Sequence, residues 1–216
     1  FTVIERDPDV LALLSQVFEN DLKAQRYDLK ALLEASPAKS KITVSPFSLE
    51  PLLGLVSSSS ASLRIDNQYL KEKTLNEAIL AAAARGVRVE VTLASLCSFG
   101  KIPPDQIKAA RDLYQPFVTA GVSLRFLPSQ FRISGRPGFL HAKAISVDGK
   151  SAWVGSVNGS ISATSNNREF GIFLQEGKDI SALDSLLAND NASPDVESLD
   201  ETLACAKDRA PGNGED

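Results

Sequence analysis

Residues 87–93 read VRVEVTL, and this strict alternation admits one local structure. Successive side chains of an extended chain point to opposite faces, so Val87, Val89, Val91 and Leu93 share one side of a strand while Arg88, Glu90 and Thr92 share the other. An Ala-rich helical segment, Thr74 to Arg85, precedes it, and Gly86 supplies the helix stop. A second amphipathic helix, Asp105 to Thr119, follows and stops at Gly121 before another strand, VSLRFL. Helices alternating with strands this closely predict an α/β domain in which helices cover a sheet.

The rest of the chain extends this pattern. Ile42–Val44 and Ser62–Asp66 read as strands, and Leu52 to Ser60 as a helix running into a Ser-rich turn. Leu140 to Val147 leads into Asp148-Gly149, a two-residue hairpin signal, and Ser151 to Gly155 runs back. A strand at Glu169–Leu174 and a helix near Ile180–Leu187 come next, with one more helix expected before a frayed acidic end. At the other terminus, Phe1 to Asp7 reads as a strand, and Asp7 and Asp9 cap a helix carrying Val10, Leu13, Leu14, Val17 and Phe18. Residues 22–40 read as a linker, and 94–105 and 130–138 as loops. Three regions are therefore expected: 1–40, the end of a preceding half and a linker; 41–190, the main domain; and 191–216, an acidic tail. There is also an internal echo, since FTVIERDPDVLALLSQVFENDL from Phe1 resembles FGIFLQEGKDISALDSLLANDN from Phe170.

Composition narrows the functional classes. No apolar run approaches the roughly 18–20 residues of a membrane span. Lys plus Arg number 23 against 27 Asp plus Glu, a net charge of −4, which disfavours a broad basic face for duplex nucleic acid. Cys97 and Cys205 can pair or stand as two free thiols, and two cysteines without a CxxC make no all-Cys zinc site. The chain has no Met, so it is expected to be a fragment or a processed product, with its compartment open and a soluble, secreted or membrane-peripheral protein as the reading. It has one histidine, His141, to which any imidazole chemistry of the chain must belong.

A lone histidine is usually a satisfied core or surface residue, but the neighbours of His141 change that. Lys143, two residues on along a predicted strand, shares its face. The hairpin brings Gly155, Ser156 and Asn158 back beside the pair. An imidazole, a cation, a hydroxyl, an amide and loop N–H groups together suit an anionic, oxygen-rich centre such as a phosphate. Asn167 and Glu169 open the next strand. Trp153, Tyr69 and Phe139 read as core, with a lipid entrance as the alternative for the last two. Arg132 and Arg136 fit either a second phosphate contact or a solvated loop.

His141-x-Lys143-x4-Asp148-x6-Gly155-Ser156-x-Asn158 resembles the HKD signature of the phospholipase D superfamily, and Asn167 and Glu169 match the positions that follow it. The stretch 57–93 is similar to the one preceding that motif in the family. The resemblance implies an α-β-α sandwich around a mixed sheet. It also implies an active site made of two such motifs, of which this chain carries one. The other is expected from an N-terminal half, upstream or on another chain, and the echo favours the reading of this chain as a C-terminal half.

What the resemblance implies is a phosphodiester hydrolase or transphosphatidylase acting on phospholipid through a phosphohistidine, with no metal and no cofactor. His141, Lys143 and Asn158 are the expected catalytic set, with Gly155, Ser156, Asn167 and Glu169 as phosphate-binding or supporting residues. Glu169 would orient the partner half's histidine, and Asp148 would be structural. Whether His141 attacks phosphorus or serves as acid and base stays open. The alternatives are a nuclease of the same family, a phosphatidyltransferase resembling cardiolipin synthase, and a non-catalytic partner half. Nucleic acid is the less expected partner.

Overall fold

The computed structural model describes residues 2–24, 26–99, 101–128, 132–133, 136–137 and 139–208. Nine strands and seven helices run through them: α1 (Pro8–Leu22), α2 (Leu29–Ala35), β1 (Ile42–Val44), α3 (Leu49–Ser57), β2 (Ser62–Asn67), α4 (Lys73–Ala84), β3 (Arg88–Ala94), α5 (Pro104–Thr119), β4 (Ser123–Leu127), β5 (Arg132–Ile133), β6 (Arg136–Pro137), β7 (Ala144–Val147), β8 (Ser151–Gly155), β9 (Phe170–Phe173), α6 (Gly177–Asn191) and α7 (Leu199–Asp208). Seven strands form one mixed sheet in the order β1-β9-β8-β7-β2-β3-β4. Strands β2, β3 and β4 are parallel, as the intervening helices require, while β2–β7, β7–β8, β8–β9 and β9–β1 are antiparallel.

Period-2 alternation divides the sheet between two helical layers. Val89, Val91 and Leu93 of β3, Ile145 and Val147 of β7, and Trp153 of β8 join α3, α4, α5 and α7 in the main core. Ala144 and Ala152 point the other way and pack under Ile180, Leu183 and Leu187 of α6. The result is the α-β-α sandwich. On the α6 side Arg64 is buried between Glu90 and Asp184, with Arg64 Nη1 2.7 Å from Asp184 Oδ1. Asp66, two residues along β2, is fully buried, and burial pushes its carboxyl well above the usual range.

Several expectations are corrected. Of the segment expected as a strand, the described residues Thr2 to Asp7 have no ladder partner, and Asp7 instead caps α1 through Asp9 N and Val10 N. Residues 22–40 include α2, which packs with α1 on β1 through Leu29, Leu32 and Leu33. The loop at 94–105 contains a 3₁₀ turn, Leu96–Phe99, and the loop before the hairpin includes the β5–β6 pair. Helix α7 packs on this 3₁₀ turn, α5 and β4, and a disulfide joins Cys97 to Cys205. The side chains of Arg132 and Arg136, and the end from residue 209, lie outside the described residues.

Candidate active site

The hairpin β7–β8 is the scaffold. Its turn places both Asp148 (φ 56°) and Gly149 (φ 62°) in the left-handed region, which Asp and Gly tolerate better than most residues. Asp148 then acts at this end of the hairpin. Its carboxylate accepts hydrogen bonds from the backbone N–H of Ser60, Ala61 and Ser62 and from Ser60 Oγ, at 2.7–3.3 Å. These donors hold its pKa far below the ordinary carboxylate range. Asp148 thus ties the hairpin to the start of β2, at the opposite end of β7 from His141.

His141 and Lys143 lie at the other end, in the segment leading into β7 rather than on the strand as expected. Strand alternation therefore does not relate their side chains. His141 is exposed, whereas Lys143 is only 4% exposed. The ladder continues one residue past β7, because Gly155 N donates to Lys143 O at 3.1 Å. This fixes the Lys143 backbone, and its side chain turns back so that Nζ donates to His141 O at 2.7 Å. The ammonium is therefore held on the His141 backbone, out of solvent.

Electrostatics follow from this arrangement. Burial lowers the Lys143 pKa to about 8, opposed by the Glu169 carboxylate. Burial also lowers that of His141, helped by the Lys143 cation and opposed by Glu169. The two groups thus feel the same acid on their own lobe. Glu169 is held there: Ser156 Oγ donates to its Oε2, and Asn167 Nδ2 donates to its Oε1 at 3.4 Å. Ser156 Oγ also accepts from Phe170 N at 3.1 Å, which locks the hydroxyl between the start of β9 and the acid.

Gly155 and Asn158 have different surroundings. A Cβ on Gly155 would fall 2.5 Å from both Phe170 O and Trp153 Cζ2, so this glycine makes room for the buried indole. Asn158 Nδ2 donates to Tyr69 Oη at 3.3 Å. Its Oδ1 is buried and accepts no hydrogen bond among the described residues. The next residue, Gly159, gives its carbonyl to Lys71 N and Glu72 N. The loop after β8 is thereby stitched to the segment after β2. Parallel strands β2–β4 end on this side of the sheet, where open α/β sheets bind ligands.

The structure thus brings His141, Lys143, Ser156 and Glu169 together, with Asn167 on Glu169 and Asn158 on the adjoining loop; Asp148 is not among them. Two further residues complete the surroundings. Phe139 packs edge-on to the His141 ring with centroids 5.6 Å apart, and Phe99 packs on Phe139 at 5.1 Å. The sequence offered no signal for Phe99, which reaches the site only because the 3₁₀ turn folds over it. Tyr69 was read as core, and its hydroxyl is instead the partner of Asn158.

Comparison with known proteins gives a consistent setting. Residues 52–190 match the family model described as the PLD-like domain of cardiolipin synthase. Among solved structures, the phospholipase D family member Nuc from Salmonella typhimurium superposes with a TM-score of 0.58 at 20% identity, over 72% of this chain and 94% of that one. NucT from Helicobacter pylori gives 0.56 at 20% identity, over 70% and 94%. A phosphatidylserine synthase from Haemophilus influenzae gives 0.56 at 17% identity, over 76% of this chain but 40% of the synthase. No curated protein matches the sequence. At such identities these structures establish the shared fold.

Proposed function

Because this chain belongs to the phospholipase D superfamily, through the PLD-like domain family of cardiolipin synthase, we propose that it cleaves or transfers phosphodiesters of phospholipids, using His141 together with a second histidine supplied by a sister half. The superfamily comprises phosphodiesterases and phosphotransferases. The observation that carries the reading is an exposed His141 whose backbone carbonyl holds the buried Lys143 ammonium, with Glu169 acting on both side chains.

The chemistry follows from those groups. Lys143, charged below about pH 8, neutralises the non-bridging oxygens of a phosphate placed over it. One imidazole nitrogen attacks phosphorus and forms an N–P bond as the bond to the leaving alkoxide breaks. The other imidazole, protonated, gives its proton to that alkoxide. Water or an acceptor alcohol, deprotonated by the second ring, then attacks phosphorus and releases the first. The chain holds one histidine, so the second must come from elsewhere. The lowered pKa of His141 keeps its ring neutral near pH 7, the form that attacks or accepts a proton.

The internal echo supports the sister half. Aligning Phe1 with Phe170 lays α1 on α6, both 15 residues long and in the same register. Helix α6 buries Ile180, Leu183, Leu187 and Asn191 on its sheet. Their counterparts on α1 are Leu11, Leu14, Phe18 and Leu22, and Leu11, Phe18 and Leu22 are 45%, 65% and 72% exposed. Meanwhile Val10, Leu13 and Val17 bury the other face of α1 on this lobe. Three of these four positions are thus exposed on α1, Leu14 packing partly on this lobe, and the sheet of a sister half fits them.

The test offers micellar phosphatidylglycerol and single-stranded DNA, with chelator present, to the chain assembled with its second half. Lipid turnover that disappears in His141→Asn supports the reading. Turnover of DNA alone refutes the lipid substrate, and unchanged turnover by His141→Asn refutes the catalytic assignment.

A further inference from the structure

A cavity of about 760 Å³ opens beside the site, between α5, the segment after β2 and the 3₁₀ turn. Its volume lies within the roughly 300–1,000 Å³ of small-molecule pockets. Tyr69 and Phe99 belong to the cavity and to the site at once: Tyr69 through its hydroxyl on Asn158, and Phe99 through the ring contact that leads by Phe139 to His141. The cavity thus adjoins the site through these two side chains, with His141 and Lys143 outside its lining.

The lining is chiefly apolar. Leu96, Ile102, Ala109, Ala110, Leu113 and Tyr114 supply walls and floor. Ala109, Ala110 and Leu113 come from one side of α5, and the two small side chains there leave the room that a larger residue would fill. Two cations, Lys71 and Lys101, are exposed on the lining, and Phe99 is 46% exposed. An apolar interior with cations beside it complements a chain that is greasy at one end and anionic at the other. A nucleobase fits less well. Lys71 Nζ lies 4.9 Å from the Tyr69 ring centroid and Phe99 packs on Phe139, so a base stacking on those faces would have to displace contacts already made.

We propose that this cavity holds an acyl chain of the phospholipid whose phosphate lies over Lys143, making α5 and the 3₁₀ turn the determinant of lipid-chain specificity. This rests on the phosphodiester reading for the position of the phosphate. Ala109 and Ala110 set how much chain enters, and Lys71 and Lys101 face the ester and phosphate oxygens.

Binding to the chain itself tests this without turnover. Glycerol 3-phosphate, dihexanoyl phosphatidic acid and dioctanoyl phosphatidic acid, each below its micellar concentration, are titrated calorimetrically. Affinity is expected to rise about fourfold per buried methylene until the cavity is full. Ala110→Trp abolishes the chain-length dependence while leaving glycerol 3-phosphate binding within twofold. Ala109→Trp, at a more exposed position, gives the same result should the first variant lose its thermal transition. Chain-length dependence unchanged in both folded variants, or an octathymidylate that competes with the dioctanoyl lipid in the wild type but not in Ala109→Trp, overturns the proposal. His141→Asn and Lys143→Met separate the two readings. If neither weakens glycerol 3-phosphate while Ala109→Trp still removes the chain-length dependence, the phosphate site is wrong and the acyl site stands.

Discussion

Lys143 Nζ donates a 2.7 Å hydrogen bond to the carbonyl oxygen of His141. The contact is local, two residues apart, yet it decides the electrostatics of the site. It draws a lysine off the solvent-facing surface and keeps its charge close enough to lower the His141 pKa. Burial opposes that charge, which is why the Lys143 pKa falls to about 8.

Phosphate affinity should therefore have an alkaline limb. Binding of inorganic phosphate or vanadate is expected to weaken as pH rises through about 8, where Lys143 discharges, rather than near the 10.4 of an ordinary lysine. Stability moves the other way. A lysine with a depressed folded-state pKa binds fewer protons folded than unfolded between about 8 and 10.4, so its contribution increases as pH rises through that window. Lys143→Met removes both dependences, which calorimetry and thermal melts across pH 7–11 can follow.

Asp148 should report on stability, with little effect on phosphate affinity. Asp148→Asn keeps a residue tolerant of the left-handed turn but weakens the acceptor for Ser60, Ala61 and Ser62. Hydrogen bonds to a charged group are worth about 1.5–3 kcal/mol each when buried. Partial exposure puts the total loss here at about 1–2 kcal/mol. Because the folded pKa is depressed, the stabilisation is present above the unfolded value near 3.9 and lost as pH falls through the folded one. Denaturant melts at pH 7 and pH 2 should show the wild-type advantage at the first and its decrease at the second.

The hairpin also shows what a sequence can carry. The turn at Asp148-Gly149, the strand in Val87–Leu93 and the stop at Gly86 (φ 87°) are written in local chemistry, since a left-handed residue or a period of two leaves few choices. The site was legible as a set of residues and less so as a geometry. His141 and Lys143 were expected to share a strand face, but the β7 ladder reaches only as far as Lys143 O, and the lysine turns inward once its strand ends. Thr2 to Ile4 have strand chemistry without a partner, and a strand requires one. Phe99 and Tyr69 reach the site through the packing of distant segments, which no local pattern encodes.

The uncovered face of α1 should be dispensable for the chain and needed by the assembly. Leu11→Glu, Phe18→Glu and Leu22→Glu together are expected to change the melting temperature of the isolated chain by no more than a few degrees, because these side chains are exposed. The same triple variant should lose association with the sister half, read by sedimentation, and turnover with it. Val10→Glu, on the buried face, should unfold this end of the chain instead.

Closing Cys97 to Cys205 ties α7 to the 3₁₀ turn that carries Phe99. Cys205→Ser is expected to cost about 2–4 kcal/mol, the usual worth of a disulfide closing a long loop. It should also loosen Phe99, which hydrogen exchange of residues 96–99 would detect as faster exchange than in the wild type. Unchanged stability and exchange would show that α7 is held by its packing alone.

The most direct measurement uses the chain's single histidine. A nitrogen-15 NMR titration of His141 resolves one imidazole, with and without vanadate. His141 is expected to show a pKa below the ordinary 6.5 in the free chain, rising in Lys143→Met and falling further in Glu169→Gln. That pKa is expected to rise when vanadate binds. An imidazole that titrates at its ordinary value, indifferent to both substitutions and to vanadate, would contradict the claim that His141, Lys143 and Glu169 form one phosphate-binding site.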